Sequence, residues 1–79
     1  MHIDQDIEKT LVNIAITINN VFVGARVKRG PDWRWKDQDG RGEGTIIEYT
    51  PGSKWVGVKW DKAYSNRYRI NEYYDLIFA

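Results

Sequence analysis

Three turn-forming pairs, Gly30-Pro31, Asp39-Gly40 and Pro51-Gly52, punctuate the chain from residue 21 onward. Between them lie short apolar or alternating stretches rich in β-branched and aromatic residues: Val21–Lys28, Gly44–Tyr49, Lys54–Trp60, Tyr64–Ile70 and a tail around Leu76–Phe78. In the third, Val56, Val58 and Trp60 alternate with Gly57 and Lys59, the pattern of a half-buried strand that leaves Trp55 on the other side. About five short strands in so little chain predict a mainly β fold, a small SH3-like β-barrel over residues 21–79.

The first 20 residues follow a different period. Ile3, Ile7, Leu11, Ile14 and Ile18 recur at spacings of four, four, three and four, which is one face of a helix. Asp4 suits its cap, and Asp6 and Glu8 suit its first turn. A strand over Asn13–Asn19 competes, with Ile14, Ile16 and Ile18 alternating against Ala15, Thr17 and Asn19. We expect an N-terminal extension over residues 1–20 that is helical in its first half at least, ending at Asn19-Asn20.

A domain of 79 residues is close to the lower limit for a self-sufficient core and usually needs a staple. Cysteine is absent, which excludes disulfides, thiolate metal sites and a thioester-forming nucleophile. His2 is the only histidine, so an imidazole-centred metal site is not expected. The stabilisation must come from four Trp, five Tyr and two Phe. Residues 1–20 carry a formal charge of −2 and the remainder +3, milder than the basic stripe of a dedicated nucleic-acid binder. No apolar run approaches the roughly 18 residues of a membrane span, and no secretory signal is read. The expected setting is cytoplasmic or nuclear, with no cofactor.

The stretch from Gly24 to Ile46 contains Gly30-Pro31-Asp32-Trp33-Arg34-Trp35 and then Asp37-Gln38-Asp39-Gly40. Further on come Val56-Gly57-Val58-Lys59-Trp60-Asp61, Asn66-Arg67-Tyr68-Arg69 and Tyr74-Asp75-Leu76. This series resembles the signature of the MIB/HERC domain, a module of mind-bomb and HECT-type ubiquitin ligases, and the resemblance runs from about Phe22 to Ile77. It implies a ligand-binding part of a ligase without catalysis of its own. In mind-bomb ligases it further implies recognition of the cytoplasmic tails of Notch ligands. Ala63 and Asn71 stand where most family members place Gly. Asn tolerates a left-handed backbone, whereas Ala63 implies a different local turn.

Each motif also has a plain structural reading. Trp33 and Trp35, two apart, can form an exposed platform for a peptide or fill a core too small for aliphatics. The second is favoured, because each buried large apolar side chain contributes about 1.5–3 kcal/mol. Asp37-Gln38-Asp39-Gly40 is a turn by composition. A calcium loop counted from Asp37 through Asp39 to Glu48, with Gly42 sixth, fails at its fifth position, where Arg41 stands. Gly40, Gly42 and Gly44 lack the context of a phosphate loop and suit a bend at a barrel corner. Asp61 can order the turn after its strand or pair with Arg69. Tyr64, Tyr68, Tyr73 and Tyr74, with Arg67 and Arg69, form an aromatic–basic cluster whose chemistry suits peptide capture.

Chemistry and exposure pattern therefore select Arg34, Trp35, Trp55, Tyr64, Arg67 and Arg69 as candidate peptide-binding residues. The expected partner is a protein or peptide segment, held at a strand edge or an aromatic groove. Nucleic-acid or chromatin binding is the first alternative, opposed by the interspersed Asp32, Asp37, Asp39 and Glu43. Assembly is the second: the apolar face of the N-terminal segment could pair two copies into a homodimer. An enzyme is the least supported reading, since no Ser or Lys has a recognisable partner base.

Overall fold

The structure, a computed structural model, describes residues 11–79. Strands β1 (Arg26–Arg29), β2 (Gly44–Glu48), β3 (Trp55–Trp60), β4 (Ser65–Arg69) and β5 (Leu76–Phe78) form one antiparallel sheet in the order β4-β3-β2-β1-β5. The expected mainly β chain of about five strands is what is found, and Gly40 and Gly52 take the positive φ that their turns require. The sheet curls so that its inward residues close on one core: Val27, Ile46, Val56, Val58, Trp60, Tyr68, Ile70, Leu76 and Phe78. Register explains the alternation. Val56 lies opposite Tyr68 and Val58 opposite Asn66, while Trp55 opposite Arg69 and Gly57 opposite Arg67 occupy the outer face. A bulge between Ile46 and Glu48 turns Ile47 outward and lays Glu48 over Gly57.

Two glycines permit close approaches that any side chain would block. A Cβ at Gly44 would stand 2.6 Å from the Trp60 ring, and one at Gly30 would stand 2.6 Å from the Tyr74 carbonyl oxygen. Gly44 thus serves packing under Trp60 at the start of β2, and Gly30 lets the β1–β2 loop lie directly on the segment before β5.

The helical expectation for residues 1–10 lies outside the described residues. From residue 12 to 20 the chain is not helical but runs through turns and a single antiparallel bridge, Ala15 to Ile77. The amides of Asn13 and Ile16 donate to the Phe78 and Leu76 carbonyls, and the Phe78 amide donates to Ile14. Ile16 is fully buried in the core, whereas Ile14 and Ile18 are exposed. Asn20 fixes the following turn, its side-chain oxygen accepting from the Thr17 amide at 2.8 Å and its amide donating to the Ala15 carbonyl at 2.9 Å. The residues between 13 and 16 therefore extend the sheet past β5.

Candidate functional site

The long β1–β2 loop is held in place by side chains from the tryptophan-rich stretch. The Asp32 carboxylate accepts from the Tyr74 amide at 2.6 Å, and the Gly30 amide donates to the Asp75 carbonyl at 2.6 Å. Trp33 stacks on Tyr68 at 5.1 Å between centroids and meets Trp60 edge-on at 5.6 Å. The Trp60 indole N–H donates to the Tyr68 hydroxyl, which donates to Gln38 Oε1. Burial, the largest influence, holds the Tyr68 hydroxyl above its ordinary pKa. Asp39 is buried beneath Arg29, accepting from its Nε at 2.7 Å and its Nη2 at 2.8 Å, and also from the Arg41 amide. Burial pushes the Asp39 carboxyl up, but Arg29 and the Arg41 N–H outweigh it and hold it below its ordinary value. The turn Asp37-Gln38-Asp39-Gly40 is thus a fastener. Among the described residues no group of three carboxylates, histidines or cysteines converges.

The second fastener is Asp75, 0% exposed. Its Oδ2 accepts from the Arg69 amide (2.9 Å), from Arg69 Nε (2.9 Å) and from the Trp35 indole N–H (3.0 Å), while its Oδ1 accepts from Arg69 Nη2 at 2.7 Å. Burial raises this carboxyl, and the Arg69 fork, the Arg69 amide and the Trp35 indole together carry it below its ordinary range. The Arg69 side chain, 14% exposed, passes 5.5 Å from the Trp35 ring centroid and 4.2 Å from that of Tyr73, and donates to the Asp32 carbonyl. Of the two alternatives for Asp61, the pair with Arg69 does not form: Asp61 binds Arg26, with Nη1 to Oδ1 at 2.8 Å.

The structure brings together some of the sequence-selected residues. Arg34 lies over the Trp35 ring (5.7 Å), Trp35 and Arg69 share Asp75, and Trp55 faces Arg69 across the β3–β4 ladder. Trp55 is 41% exposed. Arg67 lies two residues along the same face, with Glu48 Oε1 at 3.8 Å and both side chains 63% exposed. Tyr64, 89% exposed, stands apart at the turn before β4. Trp35 and Arg69 are thus tied into the scaffold, and Arg34, Trp55, Tyr64 and Arg67 are open to solvent. Two contributors were not selected from sequence, Tyr73 and Asp75. Tyr73 belonged to the Tyr/Arg cluster, and Asp75 could have been found as a carboxylate directly preceding an apolar strand.

A short curled β-sheet, closed by aromatic side chains and two buried aspartates each held by an arginine, defines the class: a small all-β module whose outer face carries aromatic and basic residues. The chain belongs to the Mib_herc2 family, whose model matches residues 24–79. It is similar to the E3 ubiquitin-protein ligase Ufd4 of Drosophila melanogaster, 44% identical over 68 residues, covering 84% of this chain and 2% of that protein. It is also similar to human E3 ubiquitin-protein ligase HERC2, 43% identical over 61 residues, covering 72% of this chain and 1% of that protein. The Drosophila E3 ubiquitin-protein ligase mind-bomb is 46% identical over 56 residues, 68% of this chain and 4% of that protein. The domain is therefore one that occurs in ubiquitin ligases, and the chain spans only 1–4% of the length of these relatives.

Proposed function

We propose that this chain is a non-catalytic protein-interaction module, an SH3-like barrel that docks a peptide segment of a partner or substrate for a ubiquitin ligase of the cytoplasm or nucleus. The observation that carries the reading is the division of labour on the outer face. Trp35, Arg69 and Asp75 form a rigid floor, and beside it Trp55, Arg34 and Arg67 present an exposed indole and two guanidinium groups. Trp and Arg on a rigid base are the residue types that dominate peptide hot spots, because little side-chain freedom is lost on binding. The Arg67–Glu48 pair is long and solvent-exposed, so an incoming carboxylate can replace Glu48 at small cost.

The test is substitution of the open and the tied residues in parallel. Trp55→Ala should weaken peptide binding by about tenfold or more while leaving the thermal midpoint within a few degrees. Trp35→Ala should lower the midpoint itself, because its indole N–H is bound to buried Asp75. Unchanged peptide affinity in Trp55→Ala would remove the face from consideration.

A further inference from the structure

The two ends of the sheet are treated differently by the chain. Beyond β5, residues between 13 and 16 pair with Leu76 and Phe78 and cover that edge. Among the described residues no strand lies beyond β4. The Ile70 amide donates to the Lys54 carbonyl at 2.9 Å, which makes 54 and 70 a hydrogen-bonded pair. With Val56 opposite Tyr68 and Val58 opposite Asn66, those alternate residues turn their backbone groups toward β3. Ser65, Arg67 and Arg69 must then turn theirs away, toward the open edge.

At Arg69 both outward groups are occupied. Its N–H donates to Asp75 Oδ2, and its carbonyl accepts from the Asp75 amide at 3.4 Å. At Ser65 and Arg67 no backbone or side-chain partner is present among the described residues, and residues 65 to 67 are exposed in succession. The result is a short row of donors and acceptors, ended at one side by Asp75 and flanked at the other by Tyr64. We infer that this open edge of β4 takes a short, extended, acidic segment of another protein as an added strand, hydrogen-bonded to the backbone of Ser65 and Arg67. The inference rests on the peptide-docking reading and specifies how the peptide is held.

Charge selects the occupant. An added strand runs beside Arg67, whose side chain is 63% exposed on the outer face, so that an acidic side chain on the same face of the added strand meets its guanidinium group, while the alternate side chains turn to the opposite face. A second copy of this chain is the disfavoured occupant. Antiparallel pairing of two β4 strands sets the arginines of one copy against those of the other, a like-charge arrangement that opposes edge-to-edge dimerisation.

The experiment uses the full chain, isotope-labelled, with a library of short blocked peptides carrying glutamate at alternate positions and valine or tyrosine between. Saturating peptide should slow hydrogen exchange at the Ser65 and Arg67 amides by about tenfold or more, as expected for N–H groups entering a ladder. Ser65→Pro and Arg67→Pro each remove an outward N–H, a change that an edge strand tolerates. Each should weaken binding by about tenfold, one lost hydrogen bond plus local misfit. Arg67→Gln, which keeps the N–H, should weaken it less. Far-ultraviolet circular dichroism confirms that each proline variant is folded; should either fail to fold, the exchange measurement on the unaltered chain decides. Peptide binding without protection of these two amides overturns the edge inference and leaves the docking reading standing. No binding by any library peptide overturns both. Concentration-dependent protection of the same amides without peptide assigns the edge to a second copy and overturns the acidic segment.

Discussion

At the scale of single residues, Asp75 is the position on which most depends. Its carboxylate receives the Arg69 fork, the Arg69 amide and the Trp35 indole, and its backbone carbonyl receives Gly30. Removing its charge leaves a largely buried guanidinium without its partner. Asp75→Asn should therefore cost about 2–4 kcal/mol of stability, read as a lower midpoint in urea at unchanged slope. A cost under about 1 kcal/mol would show that Arg69 finds another partner. Of the two roles the sequence left open for Asp61, ordering the next turn or pairing with Arg69, the second is not realised, and the register shows why. Asp61 lies beyond Lys59, which faces Ser65, whereas Arg69 faces Trp55 at the other end of the ladder, roughly 20 Å away. Sequence proximity to a strand end does not reveal which end of the neighbouring strand it meets. Likewise, Trp33 and Trp35 were legible as core-filling residues from domain size alone, but their hydrogen-bond partners, the Lys36 carbonyl and Asp75, were not.

At the scale of elements, the strands were the most legible part. Period-two alternation separated Val56, Val58 and Trp60 from Trp55, and turn residues bounded each run, so β2, β3, β4 and β5 fall within their expected stretches. The β1 run was drawn too early. Val21–Gly24 carries strand-forming residues, yet a turn forms there, with the Ala25 amide donating to Phe22 and Gly24 at φ 98°. Asn71, judged able to take a left-handed backbone, does not; Glu72 takes it, at φ 69°. From residue 12 to 20 the helical spacing is not realised: isoleucines at 14 and 18 that suggested a helical stripe are solvent-facing, while Ile16 enters the core. This makes a prediction beyond the stretch matched by the family model. Ile16→Ala should destabilise the domain by about 2–5 kcal/mol, the usual cost of emptying a buried aliphatic site. Thermal unfolding of that variant beside Ile18→Ala, which should change little, separates core from surface.

At the scale of the whole molecule, both buried carboxylates, Asp39 and Asp75, are held below their ordinary pKa once burial and the opposing arginine contacts are combined. A folded-state pKa below the unfolded value gives stability that is fully present above the unfolded pKa of about 3.9 and lost as pH falls through the folded values. Stability should therefore hold from neutral pH down to about pH 5 and decline steeply below about pH 4, and Asp75→Asn should flatten that decline. Urea titrations across this range would measure it; an acid limb equally steep in the variant would place the linkage elsewhere. Most residues by which the family is recognised, Gly30, Asp32, Trp33, Asp39, Trp60 and Asp75, serve the scaffold. Motif residues could thus reveal the fold from sequence, while the exposed residues around them, to which the proposed docking reading gives the choice of ligand, follow no spacing rule.

The most direct measurement is an NMR titration of the labelled chain with acidic, basic and tyrosine-containing peptides and, separately, a short single-stranded oligonucleotide. Binding of a peptide should shift the Trp55 indole N–H and the amides from Tyr64 to Arg69 together, with the Trp33 and Trp60 indoles nearly still. Shifts caused only by the oligonucleotide, fading steeply as salt rises, would contradict the peptide-docking account and assign the basic face to nucleic acid.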